Sequence, residues 1–395
     1  MKPNPRFFIF GYFGWFNAGD DAIGLSIVKE LKKRYPDASF TITCNDRYYL
    51  DNFRESNISS DLKIIGFGAL KILREVVKSD YFIIAGGTHF HDEGGLKFGR
   101  FKILLSFSIL SAYARLVKKP PVLLGHGIGP LYSTWSQFLV RFILFNSKMA
   151  FVRDKDSVEV VTSLGFGSKC VHGFDCTASL IDVSSVNAVK KTSSQQQSEQ
   201  RIIGISLLPT HSIYSDDVEK DVEVIKSFTK CIELIMENDC SINIRLFAFR
   251  TGVRDSDISL LQCLFNNVII RQDAIEIVNY SGNVEKFLDS IEECDFFIGM
   301  RYHASLFAYL YRKPQVILDY MGKCSSFGKD VAIDETAIIP IADILIPGFC
   351  NRIQSRLSNP DQCFANLPVD SAKTRAANMF ETLGDIYDKS SKRCR

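Results

Sequence analysis

Short apolar runs alternate with amphipathic stretches along this chain. Residues 6–10 (RFFIF), 40–43 (FTIT), 81–87 (YFIIAGG), 121–127 (PVLLGHG) and 149–154 (MAFVRD) read as buried strands, most of them ending in glycine or a charge. Between them lie helical patterns such as 21–35 (DAIGLSIVKELKKRY), where Ile23, Ile27 and Leu31 recur every four residues. Strand and helix in this rhythm predict a parallel sheet covered on both faces. The rhythm stops at 184–200 (SSVNAVKKTSSQQQSEQ), a polar, serine- and glutamine-rich stretch expected to be a linker or mobile loop. It restarts with strands expected at 201–208, 241–249, 266–271, 294–300 and 314–320, and a last helical pattern covers SAKTRAANMFETLGDIY. The fold class expected is α/β: two Rossmann-like doubly wound domains facing across a cleft. The boundaries expected are an N-terminal domain at 1–183, the linker at 184–200, a C-terminal domain at 201–345 and a helical segment at 346–395.

Bulk properties change this picture little. A chain of 395 residues exceeds one ordinary core. With 46% hydrophobic and 23% charged residues and a net charge of +2, nothing calls for nucleic acid. The 11 cysteines are scattered without a Cys-x-x-Cys pair, the pattern of a reduced, intracellular protein without a zinc framework. The N-terminus has cations followed by aromatics, as a signal peptide would, but Gly11 and Gly14 break the run and a first strand is expected instead. No run of about 18 uninterrupted apolar residues exists to span a membrane.

Candidate chemistry sits at the strand-to-helix junctions. In CDFFIGMRYHASLFAYLYRKP (294–314), Arg301, His303 and Ser305 crowd the first turn of a helix, where unpaired backbone N–H groups attract anions. The bland alternative is an arginine paired to a carboxylate and a histidine capping its helix. The next strand leads into Tyr320 and Lys323. In GYFGWFNAGDDAIG (11–24), Asn17, Asp20 and Asp21 lie among glycines, as helix caps or ligand contacts. Arg153 ends a strand and is expected to be exposed to the cleft, or else paired with Asp154 or Asp156. GGTHFHDEGG (86–95) offers His89, His91, Asp92 and Glu93, side chains of the types that hold a transition metal.

Together, GYFGWFNAGDDAI, AGGTHFHD, GHGIGP, VRDKDS, GMRYHASLFA and DYMGK resemble, in order and spacing, the polysaccharide pyruvyl transferase family, from the first strand to about residue 330. The resemblance implies a two-domain fold similar to GT-B glycosyltransferases. It also implies phosphoenolpyruvate as co-substrate, no further cofactor, and attachment of pyruvate to a sugar, usually as a cyclic ketal. Arg153, His303 and Lys323 match the residues implicated in donor handling. Ala85 stands where the family carries a glycine, and His89 and His91 fall on positions that are not ligands there, so no metal is expected. Only Asp92 matches in that segment.

Phosphoenolpyruvate carries a phosphate and a carboxylate, so its site should present fixed cations. Arg153, Arg301 and Lys323 are the expected donor contacts, with Tyr320 and His303. His303 is the expected general acid, and Asp20 or Asp92 the base. Asn17, Asp20, Asp92 and His126 are assigned to the acceptor, a sugar or lipid-linked oligosaccharide. Arg153, His303 and Lys323 are expected to converge on one site. The alternatives are a nucleotide-sugar glycosyltransferase on the same fold, or a glycan-binding component without turnover. The expected location is cytoplasmic.

One signal is independent of the resemblance. From Gly94 to Arg153 there is no aspartate or glutamate, while Lys97, Arg100, Lys102, Arg115, Lys118, Lys119, Arg141, Lys148 and Arg153 punctuate FKILLSFSILSAY and WSQFLVRFILF. Such a stretch suits peripheral contact with an anionic membrane at its inner face. The alternative is a pair of ordinary core helices with solvated edges.

Overall fold

The computed structural model describes residues 4–53, 59–93, 95–181, 200–253 and 255–392. The chain divides into two compact units, one formed by residues 1–15, 20–180 and 371–395, the other by 16–19 and 181–370. All but the last residue of the expected linker at 184–200 lies outside the described residues.

In the first unit the strands are β1 (Arg6–Phe13), β2 (Ser39–Cys44), β3 (Leu62–Ile65), β4 (Tyr81–Phe90), β5 (Val122–Ile128), β6 (Met149–Val152) and β7 (Cys170–His172). They lie in the order β3-β2-β1-β4-β5-β6-β7, parallel throughout. Its helices include α1 (Ala18–Arg34), α2 (Ala69–Lys78), α3 (Phe98–Leu116), α4 (Thr134–Asn146) and α5 (Lys155–Ser163). Parallel strands need crossover connections, and the crossovers put helices on the sheet faces. The sheet is accordingly buried on both sides. Every residue of β5 is inaccessible, and Phe8, Ile84, Leu123 and Val152 join one apolar cluster with Leu104 and Phe107 of α3 and Val140 and Ile143 of α4.

The second unit has β8 (Arg201–Ser206), β9 (Ile242–Ala248), β10 (Ile275–Asn279), β11 (Phe296–Gly299), β12 (Gln315–Asp319) and β13 (Ile338–Pro340), in the order β10-β9-β8-β11-β12-β13. These pairs are also parallel. Its helices are α6 (Thr210–Ser215), α7 (Val218–Asn238), α8 (Ile258–Asn267), α9 (Val284–Glu292), α10 (Tyr302–Leu310), α11 (Gly322–Asp330) and α12 (Phe349–Ser358). Counted from its own first strand, this is the doubly wound order 3-2-1-4-5-6. In such sheets ligands bind beyond the carboxyl ends of the strands where the order reverses. That point is β1/β4 in the first unit and β8/β11 in the second.

One expected strand is corrected. The apolar run NNVIIR is not a strand: Ile269 is exposed, Arg271 takes a left-handed φ of 46°, and the strand forms at Ile275–Asn279. The segment expected at 346–395 is helical and divides between the two units. Residues to 370 belong to the second unit, whereas α13 (Val369–Lys392) packs from Ser371 onward on the first. There the Tyr387 ring lies 4.1 Å from that of Tyr81, and Arg375 Nε donates to the Gly173 carbonyl at 3.0 Å.

Close backbone packing inside the first sheet requires glycine. Gly125, in mid-β5, has a φ of +73°, and a Cβ there would sit 2.6 Å from Cys176 Sγ. Gly125→Ala combines left-handed strain with overpacking and should destabilise the protein by about 2–4 kcal/mol, read as a lower denaturant midpoint in chemical unfolding.

Candidate active-site residues

In the second unit β11 ends at Gly299, and Met300 N–H donates to the Ser206 carbonyl at the end of β8, 2.9 Å away. Arg301 is the residue before α10. Its Nε donates to Asp257 Oδ2 at 2.7 Å, its Nη2 to Asp257 Oδ1, and Nη2 also reaches the Asp255 carbonyl at 3.3 Å. Asp257 is wholly buried and takes the Arg250 backbone N–H as well, at 3.0 Å. Burial by itself would lower the Arg301 pKa, but the Asp257 charge outweighs it and holds the guanidinium cationic. Of the two sequence readings of Arg301, an open anion ligand or an arginine paired to a carboxylate, the structure has the paired one. Ser305 likewise turns to the strand end, donating to the Gly299 carbonyl at 3.3 Å, rather than into an anion site.

His303 occupies the first turn of α10, with its ring 5.2 Å from that of Tyr302 and 5.8 Å from that of Phe307. The segment 16–19, counted with this unit, closes on the same region. Ala18 N–H donates to the Phe249 carbonyl and Thr251 N–H to the Phe16 carbonyl, each at 2.9 Å, forming an isolated antiparallel bridge. Gly19 lies against the imidazole so closely that a Cβ would fall 2.0 Å from His303 Nδ1. Asn17 Oδ1 accepts the Gly19 N–H at 3.2 Å, so Asn17 turns the chain at the start of α1. Lys323 opens α11 with its ammonium 5.1 Å from the Tyr320 ring centroid, and Tyr320 lies 6.0 Å from the Tyr214 ring. Burial pushes the Tyr320 hydroxyl above its ordinary pKa. Arg301, His303, Tyr320 and Lys323 thus all follow the carboxyl ends of two neighbouring strands.

In the first unit the expected residues are less accessible than the sequence suggests. Arg153 follows β6 but is 2% exposed. Its Nη1 pairs with Asp175 at 3.1 Å, its Nη2 donates to Thr88 Oγ1 at 2.9 Å, and Asp154 stands off at 3.7 Å. The expectation of an exposed Arg153 is therefore corrected: a buried carboxylate from beyond β7 has drawn it in. Asp92 is inaccessible, and its two oxygens accept the Tyr132 and Ser133 backbone N–H groups at 2.7 Å each, anchoring the entry to α4. With both oxygens engaged and no accessible surface, Asp92 is out of reach of a general base's substrate or a sugar contact. Asp21 is also structural, accepting from Gly14 N–H and the Tyr48 hydroxyl at 2.7 Å each. Asp20 beside it remains half-buried.

His126 is corrected as an acceptor contact too. It is fully buried, its Nε2 lies 3.1 Å from the Ile84 carbonyl, and its ring stacks on Phe90 at 4.8 Å. Bonding to a carbonyl makes Nε2 the protonated nitrogen. Burial, despite that bond, pushes its pKa down to about 3. His89, at the end of β4, lies 4.8 Å from the Tyr12 ring and 5.8 Å from Phe107, and burial with the neighbouring His126 lowers its pKa as well. Among the described residues no group of three or more His, Cys, Asp or Glu side chains could hold a metal. Aromatic packing accounts for the placement of His89.

Sequence reading missed Asp257, Asp175, Tyr214 and Ser206. Asp257 had a weak signal, an acid-rich loop (RTGVRDSD) directly after a strand at 241–249. Asp175 had none, since its partner is 22 residues away.

A histidine titrates near 6.5 when unfolded, so between about 6.5 and 3 the unfolded chain binds the extra proton and stability falls with pH. The loss from His126 is about 1.4 kcal/mol per pH unit in that window. His126→Gln keeps a donor for Ile84 but cannot titrate. Chemical unfolding at pH 6.5 and 5.0 should show the wild type losing about 2 kcal/mol more than the variant. Equal losses would mean that His126 is not the neutral, desolvated group described.

Comparison with solved structures finds the same fold at low identity. A putative UDP-N-acetylglucosamine 2-epimerase from Listeria monocytogenes aligns with a TM-score of 0.61 and 10% identity, over 98% of this chain and 97% of that one. The UDP-GlcNAc 2-epimerase from Neisseria meningitidis, bound to UDP-GlcNAc, gives 0.59 and 12% over 96% and 100%. A glycosyltransferase from Rickettsia africae gives 0.54 and 9% over 98% of each chain. At these identities the likeness is one of fold, two Rossmann-like domains of the GT-B kind. No curated protein matches the chain. The family pattern for polysaccharide pyruvyl transferase, in contrast, matches residues 17–321. The chain belongs to the polysaccharide pyruvyl transferase family.

Proposed function

We propose that this protein transfers pyruvate from phosphoenolpyruvate to a sugar of a cell-surface or exported glycan precursor in the cytoplasm, forming a ketal. The observation that carries this reading is the set at the ends of β11 and β12. A histidine and a lysine each sit in the first turn of a helix, beside an arginine held cationic by a buried carboxylate. Helix N-termini and cations together suit a small donor bearing both phosphate and carboxylate.

In the proposed reaction a sugar hydroxyl adds to the enol carbon of the donor while the methylene takes a proton from protonated His303. The hydroxyl proton passes to a carboxylate, and Asp20 is the candidate because both Asp92 oxygens are engaged by backbone amides. Phosphate then leaves with its C–O electron pair and takes up the proton held by the carboxylate, and a second hydroxyl adds at the same carbon, passes its proton to His303 and closes the ring. Lys323 balances the donor's charge, with Arg301 held beside it by Asp257.

The fold equally suits a nucleotide-sugar donor, and a chain without turnover would retain binding alone. Incubation of the purified protein with phosphoenolpyruvate and candidate acceptors distinguishes the three: phosphate release that depends on acceptor supports the proposal. Nucleotide release from a UDP-sugar, or acceptor binding without any turnover, overturns it.

His303→Ala should lower kcat by about 10²–10⁴-fold with donor affinity little changed, as removal of a positioned general acid does. Near-normal turnover would remove the acid role. Lys323→Ala should instead weaken donor binding by about 10–100-fold, the loss of a charged hydrogen bond. Arg153→Ala is a poorer probe, because it strands Asp175 without its charge partner inside the unit and costs about 3–5 kcal/mol in folding.

A further inference from the structure

α3 and α4 pack against each other through their buried residues, yet each leaves a second apolar face in solvent. On α3 the exposed residues are Phe98 (72%), Leu105 (38%), Ile109 (61%) and Leu116 (79%). Their spacing of seven, four and seven puts them on one side of the helix. On α4 they are Trp135 (62%), Phe138 (58%), Phe142 (38%) and Phe145 (51%), again at helical spacing. The two faces share an apolar groove of about 730 Å³ lined by Leu105, Ile109, Leu116, Phe138 and Phe142. Two aromatics at this surface carry a cation: Lys102 Nζ lies 4.2 Å from the Phe98 ring centroid and the Arg115 guanidinium 4.7 Å from that of Phe145. Arg141 is exposed on α4, and Lys118 in the turn that follows α3. No acidic residue interrupts residues 95–152.

Exposed aromatics alone would fit several occupants; the charge decides among them. A second copy of this chain would bring the same cations against one another, and a neutral apolar partner would leave them without counter-charge. We propose that the α3–α4 face docks peripherally on an anionic lipid bilayer, with Trp135, Phe138 and Ile109 entering the interface and Lys102, Arg115, Lys118 and Arg141 contacting headgroups. Among the described residues no helix is long and apolar enough to cross a membrane, so the contact is one of lying on the surface. An acceptor carried on a membrane lipid would meet the protein there. The docking itself does not depend on the reaction proposed above, and its test involves no turnover.

The test is co-sedimentation of the full chain with phosphatidylglycerol/phosphatidylcholine vesicles and with phosphatidylcholine alone. Binding is expected only with the anionic vesicles, and weaker at high salt. Neutralising one cation should weaken it about fivefold, so Lys102→Gln/Lys118→Gln/Arg141→Gln together should weaken it about a hundredfold. Phe138→Ser/Ile109→Ser should also abolish sedimentation, and because these side chains are solvent-exposed the unfolding midpoint should stay unchanged. In a Trp15→Phe background, Trp135 fluorescence should shift to the blue when anionic vesicles are added. Absence of sedimentation, equal sedimentation with both vesicle types, or a dimer that Phe138→Ser converts to monomer would overturn the proposal.

Discussion

Parallel strands admit no hairpins, and that constraint organises everything else in this protein. Each connection must cross back over the sheet, so each strand's carboxyl end opens into a loop and then a helix. The sheet faces are consumed by packing: β5 has no accessible residue at all. Polar chemistry is left with one place in each unit, the row of loops beyond the strand ends. Asn17, Asp20, Arg153, Arg301, His303, Tyr320 and Lys323 all lie within seven residues of such an end.

The two units use a similar electrostatic device at that edge. Arg153 follows β6 and pairs with buried Asp175; Arg301 follows β11 and pairs with buried Asp257. An isolated buried charge is costly, and a paired one is tolerable only when its remaining hydrogen-bonding capacity is satisfied. Both aspartates meet that condition through backbone amides as well, from Thr177 and from Arg250. The pairs contribute little to net stability compared with apolar packing, but they fix each guanidinium in a position and protonation state that solvent exposure would not. A cation held this way keeps a defined geometry near a binding edge, at the expense of charge already balanced by its partner.

Legibility in the sequence followed burial. Central strands such as β1, β4, β5 and β8 announce themselves because both faces are covered and the residues are apolar without alternation. The edge strands β3, β7 and β13 have three or four residues and are half exposed, so no pattern marks them. NNVIIR misled for the opposite reason, an apolar run whose Ile269 is 81% exposed. Candidate residues were legible as positions, through the strand-to-helix punctuation, but their accessibility was not. Asp92, His126 and Arg153 looked like open ligands; what closes them is long-range, from Ser133, Ile84 and Asp175. Spacing along a chain carries no record of such partners.

The histidine-rich segment shows how far that principle reaches. His89 and His91 followed by acids have the composition of a metal site, yet composition fixes only which atoms are available. β4 runs to Phe90, which carries His89 to the end of the sheet among Tyr12, Phe107 and His126. Asp92, the nearest carboxylate in sequence, is turned away to hold the start of α4. In that apolar setting the neutral imidazole is favoured over the charged one, and flat neutral rings pack as aromatic side chains do. The same physics acts with opposite outcome on α3 and α4. There the apolar rings were not absorbed into the core, because the inner face of each helix already fills it and the outer face is the remainder. Residue type proposes a role in both places; whether the interior has room for the side chain decides which role it takes.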